Sequence, residues 1–199
     1  MARLVLASTS PYRRELLERL GLPFETVAPG VDETPKPGEG AQALAQRLAR
    51  GKAEQTAKRA GRSGDVIIAA DQAAGLGDTI LGKPGNYAAA LDQLDACQGR
   101  SVIFYTATMV VQVDSGARWQ QVETTTVQFR RRDRAQLSRY LEQERPYDCA
   151  GGFKAEGLGI ALFETIESRD PTALLGLPLI WLTQVLFELD LDPLAATRS

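Results

Sequence analysis

The sequence predicts an α/β protein, because apolar strands alternate with amphipathic helices from the first residues onward. The opening run Leu4–Ala7 is typical of a short strand that leads directly into a helix. Asp65–Ala70 is a continuous apolar run, the pattern of a strand covered on both faces. Residues 102–113 and 119–129 are typical of two long strands joined as a hairpin around Asp114-Ser115-Gly116. These segments together predict a sheet with helices packed against it.

The first helix carries an arginine on its apolar face. Ser10 is a good N-cap and Pro11 suits the first helical position. At about 100° per residue, Arg13 lies on the face of the apolar side chains, while Arg14 lies to its side. That apolar face consists of Leu16, Leu17 and Leu20. Such an arginine is expected to point into a cleft, where the free N–H groups of the helix start favour an anion. The segment fits a phosphate site and an ordinary strand–turn–helix with surface arginines about equally well.

The rest of the chain alternates between predicted helices and strands. Further helices are predicted over residues 41–60 and 87–96, after a cap at Asp133, and from Pro178 onward; further strands are predicted over 24–27 and 160–166. The loop over residues 28–40 is rich in proline and glycine, which is typical of a surface connector or of a lid over a site. Its acidic pair, Asp32 and Glu33, fits a solvated loop unless other charges converge there.

Two more features indicate a site. Lys52 extends the apolar stripe of Leu44 and Leu48, although a lysine that extends its amine to solvent is the common alternative. Asp71 and Gln72 follow the buried strand directly, and ligands of open α/β sheets bind at the carboxyl ends of strands. We therefore expect Asp71 to serve chemistry rather than only to cap a turn, with Lys83 supplied by the next loop.

The composition excludes several functions. The 199 residues are 44% apolar, carry a net charge of −2 and include no histidine. The charge argues against a general nucleic-acid binder, and the absent imidazole excludes Ser-His-Asp and Cys-His catalysis. A hydrolase would therefore use a carboxylate as proton acceptor, and a metal would be held by oxygens, which favours Mg²⁺ or Mn²⁺. Isolated Cys97 and Cys149, with no transmembrane-length run and no cleavable leader, lead us to expect a cytoplasmic protein.

Several ordered motifs carry a family resemblance. SxSPxRRELL, VDET, RLARxKA, ADQ and LGKP are followed by CAGGFKAEGLG and RDPxxLLGLPL. The chain resembles the Maf family of nucleotide pyrophosphatases over essentially its whole length. The resemblance implies one domain over residues 1–199, with an elongated mixed β-sheet flanked by helices and two lobes around a deep cleft, as in Maf and ITPase-like folds. It also implies a homodimer that uses a divalent metal to convert a nucleoside triphosphate into the monophosphate and pyrophosphate.

The resemblance also implies roles for particular residues. Asp71 matches the proton acceptor, and Glu33 with Asp71 matches the acidic metal site. The phosphate-binding positions are Ser8, Ser10, Arg13, Arg14, Lys52 and Lys83. The specificity positions are Tyr12, Gln72 and Glu156, with Lys154 beside Glu156 in the glycine-dense segment 146–159. The dTTP and UTP branch usually has Arg, Thr and Gln at the three specificity positions, so this sequence sides with the 7-methyl-GTP branch.

A physical rationale supports that branch. The Glu156 carboxylate can accept both N–H groups on the edge of guanine, and a Tyr12 ring can stack on a base made cationic by methylation. Two other functions stay open: a nucleotide-binding regulator without turnover, and RNA binding through the arginine run at residues 130–134. We rank both below hydrolysis and expect neither nucleic acid nor membrane as a partner.

Overall fold

The computed structural model describes residues 3–195, in which seven strands form one mixed sheet. The strands are β1 (Leu4–Leu6), β2 (Phe24–Thr26), β3 (Val66–Leu76), β4 (Thr79–Leu81), β5 (Ser101–Gln112), β6 (Arg118–Phe129) and β7 (Phe163–Glu167). The helices are α1 (Pro11–Glu18), α2 (Ala41–Ala60), α3 (Tyr87–Cys97), α4 (Arg134–Glu144) and α5 (Leu179–Glu188). Short 3₁₀ turns occur at Ala150–Gly152, Leu158–Leu162 and Ala173–Leu175.

The sheet order is β2-β1-β3-β5-β6-β7, and β4 pairs with β3 off this path. β1 runs parallel to both β2 and β3, whereas the pairs of β3 with β4 and β5, of β5 with β6 and of β6 with β7 are antiparallel. The predicted mixed α/β fold is therefore confirmed. The prediction of one domain over residues 1–199 extends beyond the described residues at both ends.

Helices cover both faces of the sheet. Successive residues of a strand point to opposite faces, so Ile67 packs in the cluster beneath α2, while Ile68 packs beneath α1 and α5. Farther along the sheet, α3 and α4 pack over a third cluster that contains Phe104 and Phe129. Because of this alternation, Asp71 faces α2 and Gln72 faces the opposite side of the sheet. No helix within residues 3–195 is both long enough and apolar enough to span a membrane.

The predicted caps of two helices are present. The Ser10 hydroxyl oxygen accepts the Arg13 N–H at 3.4 Å at the start of α1. At α4, the Asp133 carboxylate accepts the Gln136 N–H at 2.7 Å, and the Gln136 side chain accepts the Asp133 N–H in return. Each cap satisfies backbone donors that lack partners within the helix.

Strand β3 is longer than predicted. The sequence places its end at Ala70, but the strand continues to Leu76, so Asp71 lies in mid-strand rather than at the carboxyl end. Residues 71–76 contain no β-branched side chain, and antiparallel pairing with β5 holds them in the sheet instead. The last strand also begins later than predicted. The sequence predicts a strand over residues 160–166, but β7 covers Phe163–Glu167 and residues 158–162 form a 3₁₀ turn.

One edge of β3 is open at its centre. β5 occupies one edge of β3, so β1 and β4 share the other, β1 pairing with Val66–Ile68 and β4 with Ala74–Leu76. In the part of the chain that the structure describes, no strand pairs with this second edge between residues 69 and 73. This gap places Asp71 and Gln72 beside open space.

Candidate active site

A cleft of about 560 Å³ lies at the gap in the sheet. Its walls come from the start of α1, the loop after β2, the centre of β3, the loop after β4 and two later segments of the chain. They include Ser8, Ser10, Tyr12, Arg13, Glu33, Lys52, Asp71, Gln72, Lys83, Asp148, Cys149, Glu156 and Gly176. Ten of the twelve predicted site residues therefore contribute to the wall of this cleft.

Lys52 connects Glu33 and Asp71, two of the four acidic residues that line the cleft. Its Nζ atom lies 2.6 Å from Oδ1 of Asp71 and 2.5 Å from Oε1 of Glu33. Lys52 and Asp71 are only 5% and 6% exposed, so this ion pair is shielded from solvent. Lys52 therefore does not extend its amine to solvent. Its position on the apolar stripe of α2 places the ammonium group in the cleft.

The two carboxyl groups have different electrostatic environments. Burial raises the pKa of Asp71 above its ordinary value, although the Lys52 and Arg13 charges act against this. For Glu33, burial also acts to raise the pKa, but the Lys52 hydrogen bond and the nearby cations lower it overall. Asp71 is therefore the stronger base of the pair.

Arg13 reaches the cleft from the apolar face of α1, as predicted. Its Nε donates to the carbonyl oxygen of Gly176 at 3.0 Å, which fixes one edge of the guanidinium. Burial lowers the pKa of Arg13 from its ordinary value, and the carboxylates of Asp71 and Glu33 oppose that shift. The charge of Arg13 thus acts on the same two acids that Lys52 contacts.

Ser8, Ser10 and Lys83 complete this cationic end. Ser8 is buried, and its hydroxyl oxygen accepts the Ser10 N–H at 3.1 Å, which shapes the turn before α1. Lys83 is exposed on the loop after β4, and its charge contributes to the lowered pKa of Glu33. Three cations from distant parts of the chain thus lie along one cleft.

The other end of the cleft is acidic and aromatic. Burial raises the pKa of Tyr12 to about 12, with further contributions from Cys149, Glu156 and Asp148. Neither Asp148 nor Glu156 forms an ion pair within the described range 3–195. The charged side chains of the cleft therefore form two groups, one with cations around Glu33 and Asp71 and one with Asp148 and Glu156 near Tyr12.

Asp148 and Cys149 are cleft residues that sequence reasoning did not assign. Burial raises the pKa of the Cys149 thiol to about 11, and the Asp148 carboxylate adds to that shift. The thiol is therefore neutral and suited to packing rather than to nucleophilic attack. The glycine density of segment 146–159 indicated a close approach to a ligand, but it did not indicate which side chains would take part.

Gln72 uses its amide nitrogen to bind the protein itself. Nε2 donates to the carbonyl oxygens of Ala173 and Leu174 at 3.0 Å each and to the hydroxyl of Thr106 at 2.9 Å. Because carbonyl oxygens only accept hydrogen bonds, this atom must be the amide NH₂. The amide oxygen is the part of Gln72 that remains for a ligand.

Two predicted site residues do not reach the cleft. Arg14 is 62% exposed at its side chain and pairs with Glu18 at 2.9 Å, because the helix turns it away from Arg13. Lys154 donates from Nζ to the carbonyl oxygen of Glu144 at 3.2 Å, at the end of α4. Residues 155–157 form a turn rather than an extended strand, and Glu156 lines the cleft whereas Lys154 does not. Neither Arg14 nor Lys154 lines the cleft, although both were predicted to lie there.

Glu33 and Asp71 form a pair of carboxylates that fits a metal ion bound together with phosphate. No group of three or more His, Cys, Asp or Glu side chains among the described residues could hold a metal ion. Mg²⁺, however, is usually bound by one or two carboxylates together with waters and substrate phosphates. Glu33 and Asp71 supply those two carboxylates on either side of one ammonium group.

The fold and the cleft define an α/β protein in which a buried carboxylate lies among cations in a cleft at the gap in the sheet. Residues 3–189 match the family model described as Maf-like protein, and the chain belongs to this family. The predicted family membership is thereby confirmed.

The chain is about half identical to several proteins named 7-methyl-GTP pyrophosphatase. The chain is 52% identical to a 7-methyl-GTP pyrophosphatase of Ralstonia nicotianae, over 92% of this chain and 93% of that relative. It is also 52% identical to a 7-methyl-GTP pyrophosphatase of Polaromonas sp., over 89% of this chain and 80% of that relative. Among solved structures, the Staphylococcus aureus Ham1 protein superimposes on 64% of this chain with 71% of its own chain. The TM-score is 0.45 and the sequence identity is 14%.

Proposed function

We propose that this protein hydrolyses 7-methyl-GTP to 7-methyl-GMP and pyrophosphate. The single observation that supports this most strongly is the division of charge along the cleft. Arg13, Lys52 and Lys83 gather around Glu33 and Asp71, an arrangement that suits a triphosphate with a metal ion, whereas Asp148 and Glu156 lie near Tyr12, which suits a cationic base. The relatives named 7-methyl-GTP pyrophosphatase support the same substrate.

The proposed reaction is in-line attack of water on the α-phosphorus. Asp71 accepts a proton from the water as the water oxygen bonds to this phosphorus, and the bond to the α,β-bridging oxygen breaks. Pyrophosphate leaves with that oxygen, and the negative charge that develops on it is stabilised by the cationic side chains. The raised pKa of Asp71 suits the role of proton acceptor, because a stronger base takes the proton more readily.

Glu33 and Asp71 are the residues that would hold Mg²⁺ or Mn²⁺. The ion would supply charge neutralisation for the phosphate oxygens. Lys52 already contacts both carboxylates and offsets part of their charge without a metal, so metal and triphosphate are expected to bind together rather than metal alone.

Base recognition is proposed for the opposite end of the cleft. The Glu156 carboxylate accepts the N1–H and N2–H₂ groups of guanine, and the Tyr12 ring stacks against the base. Methylation at N7 gives the base a positive charge, which favours both contacts, since cation–π contacts contribute about 1–2 kcal/mol when desolvated. The Gln72 oxygen is left as an acceptor for the same ligand.

A substrate panel tests the proposal. The purified chain is incubated with 7-methyl-GTP, GTP, dTTP or UTP in Mg²⁺ or Mn²⁺, and the nucleotide product and pyrophosphate are quantified. We expect fastest turnover of 7-methyl-GTP, equal amounts of monophosphate and pyrophosphate, and loss of activity with EDTA. A preference for dTTP or UTP would move the protein to the other branch, and binding without pyrophosphate release would favour a regulator.

A further inference from the structure

We propose that Thr106 is a positioning residue for the phosphate-binding end of the cleft, acting on Arg13 through the segment Ala173–Gly176. The proposal rests on the proposed role of Arg13 in binding the triphosphate. Thr106 belongs to β5 and lies outside the cleft wall, so it contacts no part of a ligand there. Its effect is carried by a chain of hydrogen bonds.

The first link joins the sheet to the segment. Thr106 is fully buried, and its hydroxyl donates to the carbonyl oxygen of Ala173 at 2.9 Å. The same hydroxyl oxygen accepts from Nε2 of Gln72 at 2.9 Å, and Gln72 in turn donates to Ala173 and Leu174. Thr106 and Gln72 lie opposite each other on paired strands, so a rigid sheet presents both side chains to one turn.

The second link joins the segment to Arg13. The Gly176 N–H donates to the Ala173 carbonyl oxygen at 2.9 Å and closes the turn, and the Gly176 carbonyl accepts from Nε of Arg13 at 3.0 Å. Gly176 has a φ of 111°, a conformation that favours glycine. A Cβ at this position would lie 3.3 Å from Nε of Arg13, so a larger residue here would crowd the guanidinium.

The consequence is that Arg13 depends on residues distant from it in sequence. Arg13 and Gly176 are 163 positions apart, and Thr106 and Ala173 are 67 apart. Without the threonine hydroxyl, a buried carbonyl loses a donor and the turn is held by fewer bonds. The carbonyl that fixes Arg13 is then less well placed, and phosphate affinity falls although no ligand contact has been removed.

The substitution Thr106→Val removes the hydroxyl and keeps the shape of the side chain. We expect the affinity for inorganic tripolyphosphate, measured by calorimetry, to fall about tenfold, the size of effect that loss of a buried hydrogen bond produces. Thr106→Ser keeps the hydroxyl and is expected to bind tripolyphosphate like the wild type. If Thr106→Val does not fold, Thr106→Ala provides the same comparison.

Thr108 provides a matched control. It is the next residue on the same face of β5, is fully buried, and its hydroxyl has no partner among the described residues. Thr108→Val, or Thr108→Ala, therefore breaks no hydrogen bond, and tripolyphosphate affinity is expected to match the wild type.

A double-mutant cycle with Arg13→Ala separates positioning from a general loss of structure. If Thr106 acts through Arg13, Thr106→Val causes little further loss of tripolyphosphate affinity once Arg13 is alanine. Wild-type affinity in Thr106→Val, or full additivity with Arg13→Ala, would overturn the proposal while pyrophosphate release from 7-methyl-GTP still stood. Wild-type protein that binds tripolyphosphate but releases no pyrophosphate would instead reject the proposed function and leave this test intact.

Discussion

Lys52 is the residue on which the cationic end of the cleft depends. Its ammonium lies between Glu33 and Asp71, and it is buried together with Asp71. Removing one member of a buried ion pair leaves the other charge uncompensated, at a cost of about 3–5 kcal/mol. Asp71 is the more informative residue to change, because Glu33 then still accompanies Lys52.

Asp71→Asn is expected to leave a folded protein that binds nucleotide but scarcely hydrolyses it. The amide cannot accept the proton from water, and loss of a general base reduces kcat by about 10²–10⁴-fold. Turnover of 7-methyl-GTP and binding of the same nucleotide are measured side by side. Asp78→Asn, at an exposed position outside the cleft, serves as the control. Largely intact kcat in Asp71→Asn would remove Asp71 from the mechanism.

Glu156→Gln tests recognition of the base. The substitution removes the negative charge but keeps the length of the side chain, so the ratio of kcat/KM for 7-methyl-GTP to that for GTP is expected to fall about tenfold. Glu164→Gln, an exposed change outside the cleft, should leave that ratio as it is. An unchanged ratio in Glu156→Gln would exclude Glu156 from selecting the cationic base.

At the scale of elements, the loop over residues 28–40 is held against α2 by Arg47. Its guanidinium contacts the Glu39 carboxylate at 2.6 and 2.7 Å and donates to the Thr34 carbonyl oxygen at 3.0 Å. Glu33 precedes Thr34 directly, so this anchor lies next to the acid that pairs with Lys52. The loop predicted as either a connector or a lid is therefore attached to α2 directly after Glu33.

The Glu39–Arg47 pair predicts a pH dependence of stability. The Arg47 hydrogen bond lowers the pKa of Glu39 from 4.5 to about 2. A lowered carboxyl pKa stabilises the fold above the ordinary value, and this contribution is lost as pH falls from 4.5 towards 2. Glu39→Gln should therefore lower the melting temperature near neutral pH and match the wild type near pH 2.

Thermal melts of Glu39→Gln across that pH range measure the effect. Glu15→Gln, at an exposed position on α1, is the control and should follow the wild type throughout. A constant difference between Glu39→Gln and wild type from neutral pH to pH 2 would show that the ion pair is not the cause.

The spacing of apolar residues and the helix caps predict the helices better than they predict where strand β3 ends. Spacing and caps located α1, α2 and α4, because those signals lie within one stretch of chain. The extension of β3 through Asp71 was missed, since it depends on pairing with β5 about 35 residues away and not on its own side chains. The placement of Lys154 was missed for a similar reason, as the turns in its segment form against α4.

At the scale of the whole molecule, the cleft exists because β1 and β4 share one edge of β3 without meeting. The gap between them brings the start of α1, the loop after β2 and the segment 173–176 to the same place. The sequence offered a cleft as one of two explanations for Arg13 and Lys52, because each is a cation on an apolar helix face. Asp148, Cys149 and the role of Thr106 could not be predicted, because they depend on contacts between distant segments.

Attack of water on the α-phosphorus beside Asp71 is tested most directly by isotope labelling. Turnover of 7-methyl-GTP is carried out in ¹⁸O-water, and the two products are separated and weighed by mass spectrometry. The account predicts one ¹⁸O atom in 7-methyl-GMP and none in pyrophosphate. Label in pyrophosphate, or release of labelled orthophosphate, would contradict it.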